Sequence, residues 1–350
     1  MTALALDLRK INLRTASQTE YEALTDFWNT MRFEREPDEP PIPVEERSAS
    51  WRGLPPVLVN HTWTIWSENG ASIVALGEIG FMDVPENRHL VDAGIFVRPG
   101  HRGRGYAREL LARLAQTAEA EGRTLLLGST NDRVPAGGEF LRRLGGDPGL
   151  AGHANVLHVK DLDRALLEGW IARAGERAAA YEVGYNDGPY PRERLEAIAR
   201  LHTVMNTAPR GDLDIEDQDT TPEQVLQWEQ QMLATGEHRY TAWATVRETG
   251  EFAGFSELYW NPNRPHMLGQ GATGVFPAHR DRGLGRWLKA ANLLRVLDLH
   301  PEVTKVRTGN ADSNKAMLGI NYAMGFKPHI AFTHWQVPLE KVKEYLARRR

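Results

Sequence analysis

Residues 97–114 read VRPGHRGRGYARELLARL, and residues 275–293 read VFPAHRDRGLGRWLKAANL. Both run Val-x-Pro-x-His-Arg, then Arg-Gly, then a helix-forming tail. The likeness spreads outward from this pair. YEALTDFWNTM at 21–31 matches LEAIARLHTVM at 195–205, each an amphipathic helical pattern. VALGEIGF at 74–81 matches AGFSELYW at 253–260, alternating and strand-like, each with one glutamate. FLRRLGGDP ending at Pro148 matches INYAMGFKP ending at Pro328, and LDRALLEGW from Leu162 matches LEKVKEYLA from Leu339. A repeat at half the chain length marks a duplication.

Each copy predicts the same order. A first strand lies near 10–17 or 181–187, and one or two helices follow. Three strands come next, at 61–68, 72–82 and 88–97, or at 239–248, 251–260 and 266–276. The Gly/Arg turn then opens a long helix. A strand at 124–129 or 305–308, a further helix, and a last strand and helix complete the copy. This is an α/β fold with a mixed sheet and helices on both faces. The expected domains are 1–177 and 178–350.

The chain has 350 residues, enough for two cores, with net charge −4 and no cysteine. Disulfides, a cysteine nucleophile and thiolate metal sites are excluded. The charge balance gives no reason to expect nucleic acid. No run approaches the roughly 18 apolar residues of a membrane span, and the N-terminal stretch has no cleavage signal. The expectation is a soluble cytoplasmic protein, a monomer or homodimer, touching neither nucleic acid nor membrane and holding no metal.

A strand, a glycine-rich turn and a helix start can hold phosphate. Successive backbone N–H groups and the helix N-terminus offer partial positive charge, and glycine permits close approach or positive φ. Gly283 and Gly285 take these places beside Arg280, Asp281, Arg282 and Leu284. Gly103 and Gly105 do so in the first copy, with Tyr106 and Ala107 following. Arg102 and Arg104 offer guanidinium groups to phosphate oxygens. A Walker loop is excluded by the missing Lys-Ser/Thr, and a dinucleotide fingerprint by spacing and strand order.

The pattern Arg-x-x-Gly-x-Gly/Ala after Val-x-Pro resembles the acetyl-CoA signature of the GNAT N-acetyltransferase superfamily. Arg102, Gly105 and Ala107 match it, as do Arg280, Gly283 and Gly285. NADSNKAMLGINYAMGF at 310–326 resembles the family's later asparagine-rich turn and helix. The two-copy layout is similar to tandem GNAT proteins such as mycothiol synthase. The resemblance implies two GNAT-like domains, each a mostly antiparallel twisted sheet flanked by helices. Amides from Arg102 to Ala107 and from Arg280 to Gly285 would cradle the CoA pyrophosphate. Strand ends reaching Val97 and Val275 would pair with the pantetheine arm beside a splayed sheet, and Asn310 and Asn314 would line the cofactor.

Acetyl transfer needs a neutral amine, which costs a lysine-like group roughly 4–5 kcal/mol at pH 7, so a carboxylate base is sought. Glu78 and Glu257 hold the same mid-strand place in the two copies. Asp92 is a second acidic candidate, and its counterpart is Gln270. Where the family often has a tyrosine acid stands Asn321, so neighbouring Tyr322 becomes the candidate. The first copy retains only Asn131 of the asparagine pattern, and Pro135, Gly137 and Gly138 are expected to disturb its helix. The second copy is therefore expected to be the catalytic one. Acidic runs at 33–41 and 211–219 favour a small cationic amine acceptor. A CoA-binding sensor without turnover, and an enzyme for one particular amino-thiol, are the alternatives.

Overall fold

The computed structural model describes residues 6–348. The first half contains β1 (Leu8–Ile11), α1 (Gln18–Arg35), α2 (Val44–Arg52), β2 (Leu58–Trp66), β3 (Ile73–Met82), β4 (Leu90–Val97), α3 (Tyr106–Ala120), β5 (Leu125–Asn131), α4 (Ala136–Arg143), β6 (Asp147–His158) and α5 (Arg164–Arg177). The second half repeats the series. It contains β7 (Tyr181–Asp187), α6 (Leu195–His202), α7 (Pro222–Ala234), β8 (His238–Val246), β9 (Phe252–Trp260), β10 (Met267–Val275), α8 (Leu284–Leu299), β11 (Lys305–Ala311), α9 (Lys315–Met324), β12 (Lys327–Pro338) and α10 (Leu339–Ala347). The mixed α/β class is as predicted.

Local chemistry sets several boundaries. Ser17 and Glu20 form a capping box that starts α1, and Thr221 and Gln224 form another before Pro222 to start α7. The first strand is shorter than predicted because Asn12 turns the chain, its Oδ1 accepting from the Arg14 N–H at 3.0 Å. The helix after Pro135 forms despite expectation. Pro135 sits at its N-cap with φ −59°, where a missing N–H costs nothing. The helix predicted at 195–205 ends at His202 and tightens into a 3-10 turn over Thr203–Thr207.

Two compact units form, and they are not the contiguous halves 1–177 and 178–350. The first takes residues up to 151, then 210–216 and from 332 onward; the second takes 152–209 and 217–331. The first unit's sheet runs β1-β2-β3-β4-β5 and is completed by β12, antiparallel to β5 from Phe332↔Asn131 to Pro338↔Leu125. The second runs β7-β8-β9-β10-β11 and is completed by β6, antiparallel to β11 from Gly152↔Ala311 to His158↔Lys305. Each sheet thus takes its sixth strand from the other half of the sequence. The pairs β4–β5 and β10–β11 are parallel.

Helices cover both faces of each sheet. In the first unit α3 and α10 pack Leu111, Leu114, Leu339 and Val342 on one face, while α1 brings Leu24 and Phe27 to Leu76 on the other. In the second, α8 and α5 bury Leu293, Leu294, Leu167 and Trp170 on one face. Helices α6 and α7 bury Ile198, Leu201 and Val225 against Trp243 and Phe255 on the other. Burying such side chains stabilises by about 1.5–3 kcal/mol each. No described helix is long and apolar enough to cross a membrane.

Candidate active site

Each unit carries the turn. Gly105 opens α3 at φ 87° and Gly283 opens α8 at φ 83°, both left-handed and neither with a side-chain cap. The first N–H groups of a helix have no partner within it, so these ends present uncapped donors. Two residues earlier, Gly103 (φ 75°) and Asp281 (φ 63°) make the same left-handed step. Alternation of this kind turns successive N–H groups into one concavity suited to an anion. No atom stands within 4 Å of where a Cβ would lie on Gly103 or Gly283.

The arginines behave differently from the prediction. Arg102 donates from Nε to the Val97 carbonyl at 3.1 Å and forms a bidentate pair with Glu34 at 2.6 and 2.5 Å. Arg280 repeats the first bond, to the Val275 carbonyl at 2.9 Å, and donates to Thr207 at 2.6 Å. These two guanidinium groups pin the turn to the strand before it. Arg104 donates to the Gly100 carbonyl at 3.1 Å, and Arg282 to the Tyr181 hydroxyl. Arg104 and Arg280 keep further N–H donors beside the backbone amides of the turn.

Beside each turn the sheet opens. Strands β4 and β5 pair only from Leu90↔Leu125 to Asp92↔Leu127, and both then run on unpaired toward each other. Strands β10 and β11 pair only from Met267↔Lys305 to Gly269↔Arg307. Beyond these residues β4 makes no ladder pairing with β5, nor β10 with β11, which leaves the edge an extended amide-bearing chain would require. Turn and slot together fit a CoA-type cofactor.

In the first unit Glu78, on β3, stands one strand in from the opening and level with it. Its cross-strand partner is Gly94, and Asp92 lies diagonally from it, opposite Gly80. Both carboxyls are on the α1 face, since Leu76 of that face packs on α1 while Ala75, Ile95 and Val97 pack with α3. Neither has a hydrogen-bond or ion-pair partner among the described residues. Burial, with a lesser push from Asp92, lifts the Glu78 carboxyl to about 7. Burial also raises Asp92. Asp92 is the more open to solvent of the two.

In the second unit Glu257 is 3% exposed and fully engaged. Tyr190 donates to its Oε1 at 2.6 Å and Tyr259 to its Oε2 at 3.0 Å. Burial and the carboxylate hold both phenols protonated, well above their ordinary value. Arg239 lies 3.4 Å over the Tyr190 ring and pairs with buried Glu229 at 2.8 Å. His202 stacks on Phe255 with centroids 5.0 Å apart, and burial lowers its pKa. Gln270, the counterpart of Asp92, donates to the Glu257 carbonyl at 2.7 Å across a register shift between Gln270 and Thr273.

The remaining candidates have local duties. Asn314 caps α9, accepting from the Met317 N–H at 3.3 Å, and Asn310 accepts from buried Asn321 at 2.6 Å. Tyr322 is 47% exposed on α9. The acidic run at 211–219 does not stay with its own copy. Asp214 pairs with His89 at 3.3 Å, Glu216 accepts from the Asn87 N–H at 2.6 Å, and Gln336 donates to the Asp212 carbonyl at 3.0 Å, all within the first unit. Tyr190, Tyr259 and His202 escaped the sequence reading. Tyr259 could have been found, because two residues beyond Glu257 on a strand is the same face.

Comparison with known proteins agrees with this geometry. Residues 21–145 match the model of the acetyltransferase (GNAT) family. No curated protein matches the chain. Among solved structures the chain is similar to a tandem GNAT protein from the clavulanic acid biosynthesis pathway, solved without acetyl-CoA. The TM-score is 0.76 at 23% identity, covering 96% of this chain and 99% of that one. It is also similar to a GCN5-related N-acetyltransferase from Sphaerobacter thermophilus, with TM-score 0.62 at 13% identity over 95% and 96% of the two chains. At these identities the likeness shows a shared two-copy fold.

Proposed function

We propose that the chain acetylates the primary amine of a small acceptor directly, in its first unit, where residues 21–145 match the acetyltransferase (GNAT) family model and the cofactor of that family is acetyl-CoA. One observation carries the choice of unit: Glu78 is an unpartnered carboxyl one strand in from the sheet opening, held at about 7. A base poised near the working pH is the kind that removes a proton efficiently. Bound acetyl-CoA supplies an activated acetyl group.

The chain supplies the rest. Amides at 103–107 hold phosphate, the free edge of β4 aligns the arm, and Glu78 takes the acceptor's proton at a carboxylate oxygen. With no cysteine in the sequence, no thiol of the protein can carry the acetyl group in between. For the second unit we favour cofactor binding with little turnover, because Glu257 is buried and each of its oxygens already accepts a phenolic hydrogen bond, from Tyr190 and from Tyr259. This reverses the sequence expectation that 178–350 is catalytic.

The test is thiol release from acetyl-CoA across a panel of small primary amines, with acetylated product followed by mass spectrometry. Release that depends on the amine supports the reading. Cofactor binding without release for any amine would leave a CoA sensor instead.

A further inference from the structure

The surroundings of Glu78 and Asp92 narrow the acceptor further. Across β3 and β4 each carboxylate faces a glycine: Glu78 faces Gly94 and Asp92 faces Gly80. The four positions form one block on the α1 face, with two carboxyls on one diagonal and two missing side chains on the other. The block is walled as well as open. The Phe96 ring leans over Gly94, 2.7 Å from where a Cβ would stand, and Trp28 of α1 meets Phe96 edge-on at 4.7 Å. Asn60 approaches Gly80, its Nδ2 3.7 Å from the corresponding point.

The two carboxyls are unequal. Glu78 lies deeper, while Asp92 opens to solvent. Diagonal neighbours on adjacent strands sit roughly 7–8 Å apart. Two unpartnered carboxyls set on that spacing can each take one nitrogen of a short chain that carries an amine at both ends. More negative charge lies on the Asp92 side. Gln336 shares Asp92's face through Leu127, and it holds the strap carrying Asp212, Asp214 and Glu216.

We propose that the acceptor is a diamine, or a longer polyamine, whose reacting nitrogen meets Glu78 while its second ammonium pairs with Asp92. The apolar stem lies against the Phe96 ring, which covers Gly94. Asp92 keeps its charge and binds; Glu78 exchanges a proton. This assignment rests on the first unit being the transfer site.

Binding separates the two ideas. The full-length protein with CoA bound is titrated by calorimetry with 1,5-diaminopentane and with pentylamine, which differ by one amine. The diamine is expected to bind roughly tenfold more tightly or better, the worth of a hydrogen bond to a charged group. In Asp92→Asn that ratio should fall close to one, and Asp92→Glu should restore it. Equal affinities in the wild type, absence of binding, or a ratio unchanged in Asp92→Asn would each overturn the proposal. A diamine preference without acetyl transfer would uphold this subsite while removing the function proposed above.

Discussion

Glu78 and Glu257 occupy one position in two copies of one strand, yet their surroundings give them opposite characters. Glu78 faces Gly94 and has a like charge on the diagonal, and burial without a partner makes it hold a proton near neutrality. Glu257 is buried more completely but receives two phenolic hydrogen bonds. Burial alone therefore does not make a base. What matters is whether the charged form finds donors. The duplication kept the backbone that could hold a cofactor and changed the side chains that decide reactivity.

The largest expected effect breaks this comparison at its centre. Glu78→Gln should lower kcat/KM by about 10²–10⁴-fold, the usual worth of a positioned base. Glu257→Gln should cost far less, on the order of the loss from mild destabilisation. Steady-state kinetics of both variants decides; a larger loss in Glu257→Gln would return catalysis to the second unit. In the wild type kcat/KM should rise with pH through about 7, as Glu78 loses its proton.

Lys289 gives the next effect. It is 1% exposed in α8, where the first copy has Leu111, and burial lowers its pKa to about 7. The unfolded chain binds that proton up to the ordinary lysine value, so stability should rise with pH between about 7 and 10. Lys289→Met should remove this dependence and stabilise the protein at pH 7 by on the order of 4 kcal/mol. Thermal melts across that pH range would show it, and a Tm unchanged at pH 7 would refute it.

Glu78→Gln should also stabilise, with the opposite pH sense. A raised folded pKa gives stability that is present below about 4.5 and lost as pH rises through about 7. At pH 8 the variant should gain roughly 3 kcal/mol while losing activity, and denaturant melts would measure it. The smallest effect sharpens the other side. Tyr190→Phe should cost about 1–3 kcal/mol, since a buried carboxylate loses one donor. If it instead raises turnover, Glu257 was restrained rather than idle.

Much of this was legible in the sequence, because duplication wrote it twice. The strand order, the two turns and the matched glutamates follow from repeated patterns that local physics can read. Which glutamate is free could not be read. Tyr190 reaches Glu257 from a loop 67 positions away, and nothing local signals that. The turn arginines also have a duty that their charge did not signal: Nε of Arg102 and of Arg280 bonds the carbonyl of Val97 or Val275. The strand exchange was also hidden. Alternation in β6 and β12 says that each pairs, and not with which neighbour.

That exchange bears on how the chain is made. The last strand of the first sheet lies near the end of the sequence. A ribosome adding about 5–20 residues each second would need roughly 10–40 s after completing β5 to deliver β12. During that interval the nascent first unit carries an open β edge, the feature most prone to mispairing. Polysomes translating this message hold many such edges side by side, so its yield should depend on chaperone supply more than the finished protein's stability would suggest.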